Sequence, residues 1–222
     1  EVVYPARIHS TSSAQAGAAT RRLVLTLAFI LFLTMLPVTM LVPVLRELVT
    51  TRFQGSTFWT HAFMSINLVG GLVAAPFGAW LADRHWGRRP VFIFAAALDA
   101  TLLGLMYACA RWQPSLSLLL TLRFLEGAAH LTSLSTLMAL AGDWSGPGRG
   151  GRVMGVIGAA LIFGTAFGTP LGGRIGQENP AFVLLLGAII CVVAAMLGLR
   201  LHEAPSRRTP ASLSDTLFLL NH

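Results

Sequence analysis

The chain has 222 residues, of which 55% are hydrophobic and 11% charged, and its formal net charge is +7. Soluble domains carry about 25% charged residues, so too little polar surface exists here to face water, and a water-soluble globular domain is excluded. All sixteen basic residues are Arg, with no Lys; they sit mostly at the ends of apolar runs, which argues against a nucleic-acid surface and for charges that orient membrane helices.

Residues 1–20 are polar and rich in Ser, Thr and Ala, without a cleavable-signal pattern, and the missing initiator Met suggests a trimmed start. Apolar runs then occupy 22–45, 57–82, 90–110, 115–141, 153–173 and 180–201. A bilayer core requires about 20 apolar residues per helix, and each run meets that length. Unpaired backbone groups cost several kcal/mol each in hydrocarbon, so an open chain crosses as helices. Long runs, in place of alternating ten-residue stretches, exclude a β-barrel. The sequence therefore predicts an all-α integral membrane protein, with a cytoplasmic tail over 1–20 and a six-helix transmembrane bundle over 21–203. The segment 204–222 is polar through Pro205, Arg207, Arg208 and Pro210 and ends in Asp215-Thr-Leu-Phe-Leu-Leu. It is expected to be a cytoplasmic linker or the start of a missing second half.

Arginine placement sets the orientation. With a cytoplasmic N-terminus, one side carries Arg7, Arg21, Arg22, Arg84, Arg88, Arg89, Arg149, Arg152, Arg200, Arg207 and Arg208, and the other Arg46, Arg52, Arg111 and Arg174. Eleven against four, with Arg123 inside a helix, places both termini in the cytoplasm by the positive-inside rule. Cys109 and Cys191 fall inside apolar runs and are expected to be inert buried thiols.

Four segments carry chemistry. Between the second and third runs lies Gly78-Ala-Trp-Leu-Ala-Asp83-Arg84-His-Trp-Gly87-Arg88-Arg89-Pro90. Asp83 ends one helix and the Arg cluster begins the next, so a short loop holds opposite charges together, with Gly87 permitting the turn. The fourth run contains Arg123-Phe-Leu-Glu126-Gly127-Ala-Ala-His130, and at 3.6 residues per turn Arg123, Glu126, Gly127 and His130 share one face. Charges inside a membrane helix cost about 2.5–3.5 kcal/mol on insertion scales and face a cavity or a partner. The following loop reads Asp143-Trp-Ser-Gly-Pro-Gly-Arg149-Gly-Gly-Arg152, and the fifth run places Gly155, Gly164, Gly168, Pro170, Gly172 and Gly173 along one helix.

Together these segments resemble the major facilitator superfamily. The first is similar to its loop signature Gly-x-Leu-Ala-Asp-Arg-x-Gly-Arg-Lys/Arg. It departs from that pattern in two places: Asp83 stands one residue farther from Gly78, and His85 and Trp86 occupy a place where one residue is usual. The helix-four segment resembles the family's Arg-x-x-Gln/Glu-Gly motif. The fifth-run glycines match the proton-antiporter pattern Gly-x8-Gly-x3-Gly-Pro-x2-Gly-Gly, with Pro170 one place late and Thr169 at its expected position.

The resemblance implies one half of a transporter, a bundle of two inverted three-helix repeats, closest in pattern to proton-coupled efflux antiporters. It implies a cytoplasmic gating network of Gly78, Asp83, Arg84, Gly87, Arg88, Arg89 and Asp143, with Asp143 pairing Arg88 or Arg89. Arg123 and Glu126 would handle proton or substrate at a central cavity, or else fasten helices together. The helix-five glycines would serve an interface between moving bundles. Helix one has no intramembrane acid, so Glu126 and Asp99 are the candidate proton carriers. His130 either joins them or is a packed imidazole, and Asn67 is expected to form an interhelical hydrogen bond.

The expected function is proton-coupled export of a small molecule by alternating access, with no cofactor and the proton gradient as driving force. No metal cluster, nucleophile array or phosphate loop points to an enzyme. Expected partners are the lipid bilayer, a small-molecule substrate and a second six-helix half on the same or a different chain. The expected location is the plasma membrane, the inner membrane of a bacterium. The alternative is a non-transporting six-helix module acting as a docking or regulatory subunit.

Overall fold

The structure, a computed structural model, describes residues 8–112, 115–145, 148 and 150–202, with side chains from Thr20 onward. Among the described residues there are six long helices and no strand: α1 (Ile8–Leu41), α2 (Thr57–Leu81), α3 (Arg88–Trp112), α4 (Leu116–Trp144), α5 (Gly150–Gly176) and α6 (Pro180–Gly198). The predicted segment 204–222 lies outside the described residues, as do residues 1–7 of the predicted tail.

α1 begins at Ile8, well before the apolar run that starts near 22. Hydropathy marks where a helix enters lipid and not where its backbone begins; the part of α1 apolar enough to cross a membrane starts at Thr20. The other boundaries follow local chemistry. Ser115 accepts the Leu118 N–H at the start of α4, and Asn179 accepts the Ala181 N–H ahead of Pro180 at the start of α6. Between α2 and α3 the chain makes a π-helical turn, Ala82–Trp86, and then Gly87 takes φ 89°. The π turn absorbs the extra residue at His85–Trp86, and Gly87 supplies the left-handed φ that a side chain would resist.

By length and composition five of the six helices can cross a membrane; α4 is the exception. At 29 residues it is long enough, but Arg123, Glu126 and His130 in its middle lower its mean hydropathy. It is shielded by its neighbours, packing extensively on both α2 and α3. The protein is thus an all-helical membrane bundle in which the charged face of α4 is turned inward.

Packing carries an internal symmetry. α1 lies against α5 and α6, α4 lies against α2 and α3, and α3 lies against α6. Exchanging α1 with α4, α2 with α5 and α3 with α6 maps each of these pairs onto another or onto itself. Three-helix units of odd length run in opposite senses across a membrane, so this is the arrangement of two inverted repeats. Two apolar clusters fill the bundle. One includes Met40, Phe63, Leu103, Met106 and Leu184, and the other Leu27, Ile30, Phe92, Leu137 and Ile157. A polar layer lies between them.

Candidate functional site

That layer is built mainly on α4. Arg123 and Glu126 are 0% exposed, and Asn67, Asp99, His130, Ser133 and Thr136 are also buried. The i, i+3 spacing lets Arg123 Nη1 donate to Glu126 Oε2 at 2.7 Å. Asn67 Nδ2 on α2 donates to the same oxygen at 2.6 Å, the interhelical bond expected of it. This reach depends on Gly127, where a Cβ would fall on the Asn67 carbonyl; without a side chain there, α2 and α4 meet backbone to backbone. The Arg123 guanidinium also stands 5.0 Å from the centroid of the Phe63 ring, a buried cation–π contact that no sequence spacing announced.

A second group adjoins the first. His130 Nδ1 lies 3.2 Å from Asp99 Oδ2, and the Cys191 thiol on α6 donates to the same oxygen at 3.6 Å. Asp99 and His130 therefore face inward, toward each other. Cys191 is buried in the apolar core as expected, and its thiol also reaches Asp99; this contact joins residues 92 positions apart, which periodicity within one helix cannot reveal. Glu126 Oε1, Asp99 Oδ1, Arg123 Nε and His130 Nε2 have no hydrogen-bond partner among the described residues.

The charge-rich loops meet at one end of the bundle. Arg88 bridges Asp83 at 3.2 Å and Asp143 at 2.7 Å, and its Nη1 also donates to the Ala139 carbonyl. Of the two expected partners of Asp143, the structure selects Arg88. Arg89 turns away and donates to the Leu199 carbonyl near the end of α6 at 2.5 Å, a contact sequence reading missed. Arg84 is exposed and makes no ion pair among the described residues. Gly78 gives α2 its close approach to Thr132 of α4. The ends of α2, α3, α4 and α6 are thus tied together on one side.

The α5 glycines divide by what they touch. A Cβ on Gly164, Gly168 or Gly172 would run into Phe32, Met35, Leu36, Thr39 or Met40 of α1, whereas one on Gly155 meets nothing within 4 Å and one on Gly173 makes ordinary contact with Pro43. Thr39 adds a hydrogen bond to the Gly164 carbonyl at 3.4 Å. Three of the five glycines therefore close the α1–α5 seam within this bundle. Pro170 is exposed, on the side of α5 away from α1.

A groove of about 890 Å³ opens at the same end as the Arg88 network, lined by Arg22, Phe29, Trp144, Leu197, Arg200 and His202 among others; none of the buried polar layer lines it. Among the described residues no group of His, Cys, Asp and Glu has the geometry to hold a metal ion.

The family model described as Major Facilitator Superfamily matches residues 27–220. Two curated relatives, each described as a multidrug resistance protein B homolog, come from Mycobacterium tuberculosis strains CDC 1551 / Oshkosh and ATCC 25618 / H37Rv. Each is 34% identical over 145 residues, which cover 62% of this chain. The match spans 26% of the length of those relatives. With six helices in two repeats, an inward-facing charged helix and a family match over most of its length, the chain belongs to the Major Facilitator Superfamily.

Proposed function

We propose that the chain forms one six-helix bundle of a secondary active transporter that exports small molecules in exchange for protons by alternating access. The observation that carries this reading is the Arg123–Glu126 pair. Both groups are 0% exposed within this six-helix bundle itself. They face the interior of this bundle and not a cavity shared with another, which favours proton handling over direct contact with a bulky substrate. Glu126 Oε1 is open to accept a proton. Protonating Glu126 leaves Arg123 buried without its counter-charge, a state costing about 3–5 kcal/mol. Relief of that cost by moving α4 against α2 would couple proton binding to a change of shape.

The Arg88 network provides the other element of the cycle. One guanidinium holds Asp83 and Asp143 from the ends of two helices, so separating α2 and α3 from α4 at this end requires breaking charge-assisted bonds. We assign this network to stabilising one facing state. The Arg bias assigns that side, with both termini, to the cytoplasm of a plasma membrane.

α2 and α5 are the least buried spans, 28% and 22% of their apolar windows against 50% in α1, α3 and α6. We assign their outer faces to a second six-helix half, in the same or another chain; the greater length of the curated relatives supports that partner. Their description as multidrug resistance proteins supports drug-like apolar compounds as cargo. No cofactor enters this scheme, and the proton gradient drives it.

The test is efflux from proteoliposomes holding the chain with its second half. Expected is substrate movement that collapses with a protonophore, and loss of proton coupling in Glu126→Gln and Arg123→Ala. Flux that is indifferent to the gradient in the unmodified protein would overturn the proposal.

A further inference from the structure

Asp99 is the acid that the Glu126 scheme leaves unused. It sits on α3, 2% exposed, and its Oδ2 meets groups from two other helices: His130 Nδ1 at 3.2 Å on α4 and the Cys191 thiol at 3.6 Å on α6. The thiol is a donor in this contact, so Oδ2 behaves as an acceptor from at least one side. Asp99 Oδ1 and His130 Nε2 have no partner among the described residues.

Formal charge limits the states this cluster can adopt. Among the described residues, the buried ionisable groups near it are Arg123, Glu126 and His130 from α4, Asp99 from α3 and Cys191 from α6. α2 contributes Asn67, which is polar but uncharged, and α1 brings no ionisable group to this layer. Arg123 and Glu126 cancel each other at 2.7 Å. With no further proton the layer carries the uncompensated charge of Asp99. With one proton shared between Asp99 and His130, on either atom of their contact, it is neutral. Unpaired charge in the membrane interior is costly, so the geometry favours the state with the proton.

We propose that Asp99 and His130 jointly bind one proton, forming a second proton site of the bundle, with the Cys191 thiol fixed against it. Proton uptake converts Asp99 carboxylate and neutral His130 into an aspartate–imidazolium pair or its tautomer, an aspartic acid hydrogen-bonded to imidazole; release reverses this, and no other bond changes. His130 lies one helical turn beyond Glu126, on the same face of α4. The bundle therefore has two protonatable positions in adjacent turns, one facing α2 and one facing α3 and α6. The site stands on its own geometry; its part in transport rests on the proton-coupled reading above.

Cys191 provides the readout, because the S–H stretching band reports what the thiol donates to. The measurement is infrared titration of the chain in lipid, in a Cys109→Ala background so that Cys191 is the single thiol. Expected is one pH-dependent step in the S–H band, absent in Asp99→Asn and retained in Glu126→Gln. His130→Gln, which keeps the Asp99–thiol contact, guards against misfolding of Asp99→Asn; it should move the midpoint by at least about one pH unit, a tenfold change in proton affinity. A band that never moves with pH in the unmodified protein overturns the proposal. So does a step that survives Asp99→Asn, or a midpoint unmoved by His130→Gln. The two readings separate cleanly. Proton-coupled efflux lost in Glu126→Gln alongside a static thiol band defeats only the second site, and a moving band alongside gradient-independent efflux defeats only the transport scheme.

Discussion

Asn67 and Arg123 donate to the same carboxylate oxygen, Glu126 Oε2, at 2.6 Å and 2.7 Å. One oxygen therefore joins α2 to the charge on α4. The other, Oε1, has no partner among the described residues. A carboxylate held on one side and open on the other is well placed to exchange a proton without losing its position.

Removing the α2 arm should loosen this arrangement without abolishing it. Interhelical hydrogen bonds in membranes contribute about 0.6 kcal/mol on average and up to about 1.7 kcal/mol. Asn67→Ala is expected to fall near the top of that range, since it also strips a donor from a fully buried carboxylate. Denaturant unfolding in mixed micelles measures the loss. In a double-mutant cycle with Glu126→Gln the two changes should be clearly non-additive; strict additivity would mean that the bond is not formed in the membrane.

The seam between α1 and α5 gives a sharper contrast. Gly168 abuts Thr39 and Gly172 abuts the Met40 backbone, while a Cβ at Gly155 meets nothing within 4 Å. Gly172→Ala should destabilise the bundle by about 1–3 kcal/mol, the usual cost of overpacking, because backbone cannot yield as a flexible side chain does. Gly155→Ala should be neutral or mildly stabilising through its higher helix propensity. Thermal unfolding of the two variants side by side decides the matter. Equal losses would show that the glycine pattern serves something other than contact with α1.

Much of this was legible in the sequence, for identifiable reasons. Apolar runs long enough to span a bilayer fix helices because lipid leaves the backbone few alternatives. The Arg123–Glu126 and Asp83–Arg88 pairs could be read because their partners are close along the chain. Asp143 was linked to Arg88 or Arg89, but choosing between them required the crossing of α3 and α4, which no local pattern encodes. The Cys191–Asp99 contact, the Phe63 ring over Arg123 and the Arg89–Leu199 carbonyl bond all join different helices, and each residue taken alone has a bland explanation. The assignment of the α5 glycines to an interface between bundles stopped short for the same reason: spacing shows that something approaches closely, not what. The start of α1 differed because hydropathy falls silent where a helix leaves the lipid.

Arg88 separates gating from stability. Its side chain is 27% exposed, and its partners Asp83 and Asp143 are 58% and 41% exposed. Ion pairs at that level of exposure contribute about 0–1 kcal/mol. Arg88→Ala should therefore leave unfolding nearly unchanged. If the network biases one facing state by the about 1–3 kcal/mol common for coupled conformations, transport should drop about 5- to 150-fold. Arg84→Ala, at an exposed position without an ion pair among the described residues, is expected to transport normally and serves as the control. A large loss of stability in Arg88→Ala would recast the network as a structural clamp.

Orientation can be tested with thiol chemistry, since the native cysteines do not interfere. Cys109 and Cys191 are both buried and should be silent to a membrane-impermeant maleimide. Single cysteines at Arg84 and Arg152, exposed in the turn after α2 and near the start of α5, lie on the side assigned to the cytoplasm. Those at Glu47 and Arg174, also exposed, lie at the opposite ends of their helices. In right-side-out cells the reagent should label Glu47→Cys and Arg174→Cys, and reach Arg84→Cys and Arg152→Cys only after the membrane is opened. Replacing a single Arg removes little from an eleven-to-four bias, so the variants should insert as the parent does. The reverse labelling pattern would invert the whole scheme and place the Arg88 network on the outer face. A mixed pattern within one pair would instead contradict the number of crossings, and with it the α4 span, whose charges make it the weakest by hydropathy.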